Sequence, residues 1–242
     1  MKRIITRIHL WAGLLLGLQV AIWMASGVIM SWFPIEEVRG ETRAVPAIPD
    51  RISLADARID LAPVLAEHQP EVIRLKMFRG SPVFHLEAGA ATLLLDATSL
   101  EPVVIDERLA LAIARDDYMG EAPDAAVRLI ETDPPLDYAG SLPVWQVKLH
   151  DRHGTRIYIS PEDGRITARR NNVWRLYDTF WMLHIMDYGE RHDFNNPLVK
   201  TASLTGLIFA LSGLFLVIFR LRSGRYEAEI KRMRSRIFKS EN

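Results

Sequence analysis

The feature that most limits what this chain can fold into is a run from Ile8 to Ile35 without one Lys, Arg, Asp or Glu. Within it only His9 titrates. A helix rises about 1.5 Å per residue, so about 20 apolar residues cross the hydrocarbon core of a bilayer. The run therefore predicts a transmembrane helix over residues 8–33. Lys2, Arg3 and Arg7 ahead of it form a basic start like that of a signal peptide. The apolar run exceeds the roughly 7–15 residues of a signal h-region, and no A-x-A site follows. It reads as an uncleaved anchor.

A second apolar stretch, Leu198–Phe219, predicts a second span over residues 198–219, with Lys200 near one end where its ammonium reaches the interface. Charge orients both. Residues 1–7 carry three basic and no acidic side chains, and residues 220–242 carry eight basic and three acidic ones. Residues 34–197 carry 18 basic and 27 acidic side chains. Basic flanks stay in the cytoplasm. Both termini are expected inside a bacterial inner membrane, with the central segment in the periplasm and the bilayer as the first partner. Zero net charge over 242 residues gives no support to a nucleic-acid partner. The absence of cysteine excludes disulfides, thiolate metal sites and a thiol nucleophile. No H-E-x-x-H, G-x-S-x-G, Walker or G-x-G-x-x-G pattern is present, so hydrolase and nucleotide-driven chemistry are unsupported.

The central segment reads as an internal duplication of α+β type. Asp50–Glu67 has helical period, with Leu54, Ala57, Leu61 and Leu65 on one side. Alternating runs follow at Val72–Phe78, Pro82–Glu87 and Thr92–Asp96. The pattern restarts with a helix over Asp106–Tyr118 and strands over Ala126–Glu131, Pro143–Leu149 and Thr155–Ile159, closed by the turn Ser160–Gly164. Ser81-Pro82-Val83-Phe84 aligns with Leu142-Pro143-Val144-Trp145. The expectation is a linker and first repeat over 34–104 and a second repeat over 105–173. Each is a helix plus an antiparallel three-stranded meander. An aromatic amphipathic helix and loop follow over 174–197, and residues 220–242 make a basic cytoplasmic tail.

At this point the letters resemble a family. LPVWQVKLHDRHGTRIYISPEDGRI is similar to the core of a PepSY domain. Arg7-Ile8-His9-Leu10-Trp11-Ala12-Gly13 resembles the start of PepSY-associated transmembrane proteins, as does Leu183-His184 ahead of the last span. The resemblance implies one of two roles. Some members look like ferric-siderophore reductases holding haem between histidines of their spans; others are soluble domains that modulate peptidases. Two spans are half the number common in the reductase-like members, so a four-helix cofactor core would need a homodimer or a larger membrane complex.

Two histidines are suited to the haem role. His9, Gly13 and Gly17 recur on one helical face, and the glycines let a flat macrocycle or a second helix come close. His184 falls in an aromatic series of Trp174, Tyr177, Trp181 and Tyr188, spaced three and four apart. Neutral imidazole is an axial ligand of b-type haem, and flat side chains suit the porphyrin. The same aromatic series also suits an interfacial belt with no cofactor. A span separates His9 from His184 by about 30 Å, so they cannot grip one iron. The expected cofactor-binding set is His9, His184, Gly13, Gly17 and Trp181, with His9 and His184 as iron ligands, each paired with its copy across a dimer. The group His184, Asp187, Glu190, His192 and Asp193 also suits a divalent cation or a solvated loop, and His150 and His153 a metal or a polar turn.

Three classes of function stay open. The chain is a haem b electron-transfer component, an oxidoreductase part delivering electrons to a periplasmic acceptor such as a ferric chelate. Or it is an envelope binding module for a protein or peptidase partner. Or it is a structural subunit of a membrane complex.

Overall fold

The structure is a computed structural model describing residues 2–46, 52, 62–89, 91–121 and 124–222. Side chains are described throughout these except at 2–10, 12, 212, 215, 216, 219 and 220. The beginning of the expected Asp50–Glu67 helix and the basic tail from 223 lie outside the described residues. The chain divides into two units, one of residues 1–31 with 179–242, the other of residues 32–178.

In the first unit, helix α1 spans Lys2–Trp32. Among the described residues it is the one helix long and apolar enough to cross a membrane, over Gly13–Trp32. Leu14, Leu15, Leu18, Met24 and Val28 are exposed on it. A helix apolar all round and left uncovered suits lipid rather than water.

The second unit opens with short helix α2 (Ile35–Val38) and a 3-10 turn at Glu41–Arg43. Helix α3 (Ala62–His68) precedes strands β1 (Val72–Phe78), β2 (Ser81–Ala88) and β3 (Ala91–Asp96), an antiparallel sheet in the order β1-β2-β3. Alternation sorts its two faces. Phe84, Leu86 and Leu95 bury against Val64 of α3, while Val83 and Leu94 turn to the other side and enter the main core.

Helix α4 (Glu107–Asp117) starts where Asp106 accepts the backbone N–H of Leu109 at 2.8 Å, a side-chain N-cap. It buries Ala110, Ile113 and Ala114 against Val147, Leu149, Ile157 and Ile159. These come from β5 (Val144–Leu149) and β6 (Arg156–Ile159), which lie between β4 (Ala125–Ile130) and β7 (Ile166–Arg170) in a four-stranded antiparallel sheet. The expectation of three strands here is corrected by β7. Its sequence ITARR is too charged to look like a strand, but Arg169 is paired to Asp117 and Arg170 donates to the carbonyl of Asp137 at 2.7 Å. The β4–β5 loop folds over the outer sheet face, where the Tyr138 ring stacks on Tyr158 at 4.5 Å.

Asn171 begins helix α5 (Asn172–Ile185) by accepting the N–H of Trp174 at 2.7 Å. Helix α6 (Pro197–Arg222) follows an Asn196 cap on Val199 N–H at 2.9 Å. Its described apolar stretch runs Pro197–Leu211.

Candidate functional site

The site forms within the first unit around His184, in the last turn of α5. Met186 takes φ +55° and ends that helix. Tyr188 therefore lies beyond the helix and is exposed, so the aromatic series does not continue through it as one helical stripe. Ending the helix leaves carbonyls that need donors. Trp23 Nε1 donates to the His184 carbonyl at 2.8 Å, and Asn196 Nδ2 donates to that of Ile185 at 2.9 Å. The His184 ring is held as well, with Nδ1 2.8 Å from Ser26 Oγ. Ser26 is fully buried, and its hydroxyl also donates to the Trp23 carbonyl at 2.9 Å.

Beside this contact lies a cavity of about 730 Å³ lined by Trp23, Met24, Gly27, Val28, Ser31, His184, Ile185, Phe194, Val199 and Ser203. The lining is mostly apolar. Gly27 lines the cavity on the α1 side, and a Cβ there would meet nothing within 4 Å. His184 is half-buried at this cavity with Nδ1 engaged, and its second ring nitrogen can either share a hydrogen bond or bind a metal. Among the described residues no hydrogen bond reaches Nε2 of His184.

The other expected site residues are dispersed. The side chain of His9 lies outside those described. Gly13 faces the ring of Phe209, where a Cβ would stand 3.3 Å from Cζ, so it serves close approach of α1 and α6. Gly17 has open space around it. Trp181 is half-buried and does not line the cavity. Sequence reading does not single out Trp23, Ser26 or Gly27, because a Trp, a Ser and a Gly in an apolar helix carry no motif. Gln19 lies in the same apolar helix, and its Nε2 is buried with no hydrogen-bond partner among the described residues.

Among the described residues no group of three or more His, Asp or Glu could hold a metal ion. Asp187 instead accepts the backbone N–H groups of Gly189, His192 and Asp193 at 3.0–3.2 Å. These and the adjoining backbone hold its carboxyl below the usual range, with the Asp193 N–H first. Asp151, between His150 and His153, accepts from Tyr118 and Thr155 at 2.6–2.8 Å and staples the turn. His85 is nearly buried, 3.6 Å from Glu87 and 3.8 Å from Asp163. Burial, then the Lys76 ammonium, pushes its pKa below the usual imidazole value, against the pull of Asp163 and Glu87.

The family model described as the PepSY-associated TM region matches residues 6–240. No curated protein and no solved structure matches the chain.

Proposed function

The chain belongs to the PepSY-associated transmembrane family, and on that premise we propose that it is an inner-membrane electron-transfer protein carrying b-type haem at His184. Its electrons pass to a periplasmic acceptor such as a ferric chelate. In this reading α1 and α6 are two spans with both termini in the cytoplasm, on the strength of the basic flanks. Residues 34–173 are two copies of one helix-plus-sheet unit, the second with an added strand.

The observation that carries the reading is the His184 imidazole, held through Nδ1 beside a largely apolar cavity of about 730 Å³. Ligand cavities typically fall at about 300–1,000 Å³ with few, placed polar groups, and the donor set fits haem: an imidazole nitrogen, apolar walls and a side-chain-free stretch at Gly27. When bound, haem supplies a one-electron couple tuned by its ligands and its exposure to water. The chain's residues provide the rest. His184 would offer the ligand nitrogen, Ser26 would orient the ring, and Trp23, Val28 and Phe194 would supply apolar walls. A second ligand would have to come from the His184 of a twofold-related copy or from the thioether of Met24, which lines the same cavity. His9 and its copy would hold a second haem toward the cytoplasmic end.

The test is a reduced-minus-oxidised visible spectrum of the full chain in mild detergent, with His9→Ala and His184→Ala beside it. A b-type signal lost in His184→Ala is expected. A colourless protein from cells with ample haem would overturn the proposal. The competing reading, a binding module, draws on the compactness of residues 32–178 as a unit. It predicts that this segment alone captures an envelope protein.

A further inference from the structure

We infer that Ser26 is a positioning residue for the haem proposed above. It fixes the His184 tautomer, so that Nδ1 carries the hydrogen and Nε2 keeps the lone pair that binds iron. The inference rests on the haem reading and extends it to a residue no motif marks.

A serine hydroxyl has one hydrogen to give. In α1 the Ser26 hydroxyl gives it to the carbonyl of Trp23 at 2.9 Å. Its oxygen is then left to accept, so at the 2.8 Å contact the donor is Nδ1–H of His184. A neutral imidazole protonated at Nδ1 has a bare Nε2. Full burial of Ser26 keeps water from competing for either role.

The same turn of α1 holds His184 at a second point. The indole N–H of Trp23, three residues before Ser26, takes the His184 carbonyl at 2.8 Å. Backbone and ring of one residue are thus fixed from one helical turn, and the ring cannot rotate without breaking a part-buried hydrogen bond. The tautomer also decides what class of ligand the site takes. Binding an oxygen acceptor such as a quinone carbonyl would need Nε2–H. A bare Nε2 suits a metal centre, and a hydrogen bond from the remote nitrogen is what orients a histidine ligand and raises its basicity.

The experiment is titration of the haem-stripped full chain, in mild detergent, with haemin. It compares wild type with Ser26→Ala, Ser26→Thr and His184→Ala, reading the Soret band, the affinity and the midpoint potential. Ser26→Ala is expected to bind about 10–100-fold more weakly. Its potential should rise, because a less basic imidazole stabilises ferric iron less. Ser26→Thr keeps the hydroxyl and should restore both. Wild-type affinity and potential in Ser26→Ala, with haemin binding still lost in His184→Ala, would overturn the positioning role and leave the haem reading standing. Failure of Ser26→Thr to restore what Ser26→Ala loses would also overturn it. A wild-type spectrum in His184→Ala would remove both.

Discussion

Gly164 tests how the two sheets of the second unit are fitted together. It closes the β6–β7 turn at φ +67°, and a Cβ there would stand 2.7 Å from Cε2 and 2.9 Å from Cζ of Phe78, and 3.2 Å from Cδ1 of Ile113. Ile113 belongs to the main core and Phe78 packs on it. Gly164→Ala therefore meets two penalties. The left-handed backbone costs a residue with a Cβ about 1–2 kcal/mol, partly offset by about 0.4–1 kcal/mol of lost unfolded-state entropy. Forcing a methyl into a filled core adds about 1–3 kcal/mol, for a net loss near 3 kcal/mol. Gly80 separates the two. Its φ is +84° but a Cβ there meets nothing within 4 Å, so Gly80→Ala should lose only about 1 kcal/mol. The assay is thermal unfolding of the full chain in detergent, followed by tryptophan fluorescence. At about 2–4 °C per kcal/mol for a unit of this size, Gly164→Ala should unfold about 6–12 °C lower and Gly80→Ala about 2–4 °C lower. In a Phe78→Leu background most of the excess should vanish, since the near ring atoms are gone. Equal losses at the two glycines, or no recovery with Phe78→Leu, would refute the claim that the turn is wedged against the first sheet.

Four further outcomes are expected. Asp137 is buried between Arg156 at 2.6 Å, Arg175 at 3.4 Å and the Tyr158 hydroxyl at 2.6 Å. Asp137→Asn should cost about 2 kcal/mol in urea unfolding, less than a fully buried pair because both arginines are partly exposed. Burial, then the Asp137 carboxylate, pushes the Tyr158 hydroxyl up to about 12. The folded state keeps a proton the unfolded chain releases near pH 10. That contribution is whole below about pH 10 and is lost as pH rises toward 12, and Tyr158→Phe should flatten this alkaline limb. Burial pushes the Asp151 carboxyl up, but hydrogen bonds from Thr155 and Tyr118 outweigh it, so its pKa lies below the usual value. Its contribution is present above about pH 4 and fades below, an acid limb that Asp151→Asn should remove. Asn196→Ala loses the α6 cap and the donor to the Ile185 carbonyl, and should lower the unfolding midpoint by about 1–2 kcal/mol equivalent.

Much of this architecture was legible without coordinates because it is local. A charge-free run longer than a bilayer crossing predicted α1, and period-two alternation placed β1, β2 and β3 within a residue or two. Asp106 announced a helix start because a carboxylate oxygen caps the N–H groups two or three residues on, which needs no distant partner. What escaped depends on residues remote in sequence. β7 forms because Asp117 and the Asp137 carbonyl engage arginines that would otherwise mark a loop. The aromatic series stops short of Tyr188 because Met186 turns left-handed at the end of α5.

The site divides the same way. His184 stands out in the sequence as an imidazole among aromatics, because residue type and helical spacing follow from the letters alone. That Ser26 and Trp23 hold it, across 158 and 161 positions of chain, and that a cavity lies beside it, was decided by the tertiary structure. Hydrogen bonds have direction and cavities have shape, and both arise only when distant helices are brought side by side.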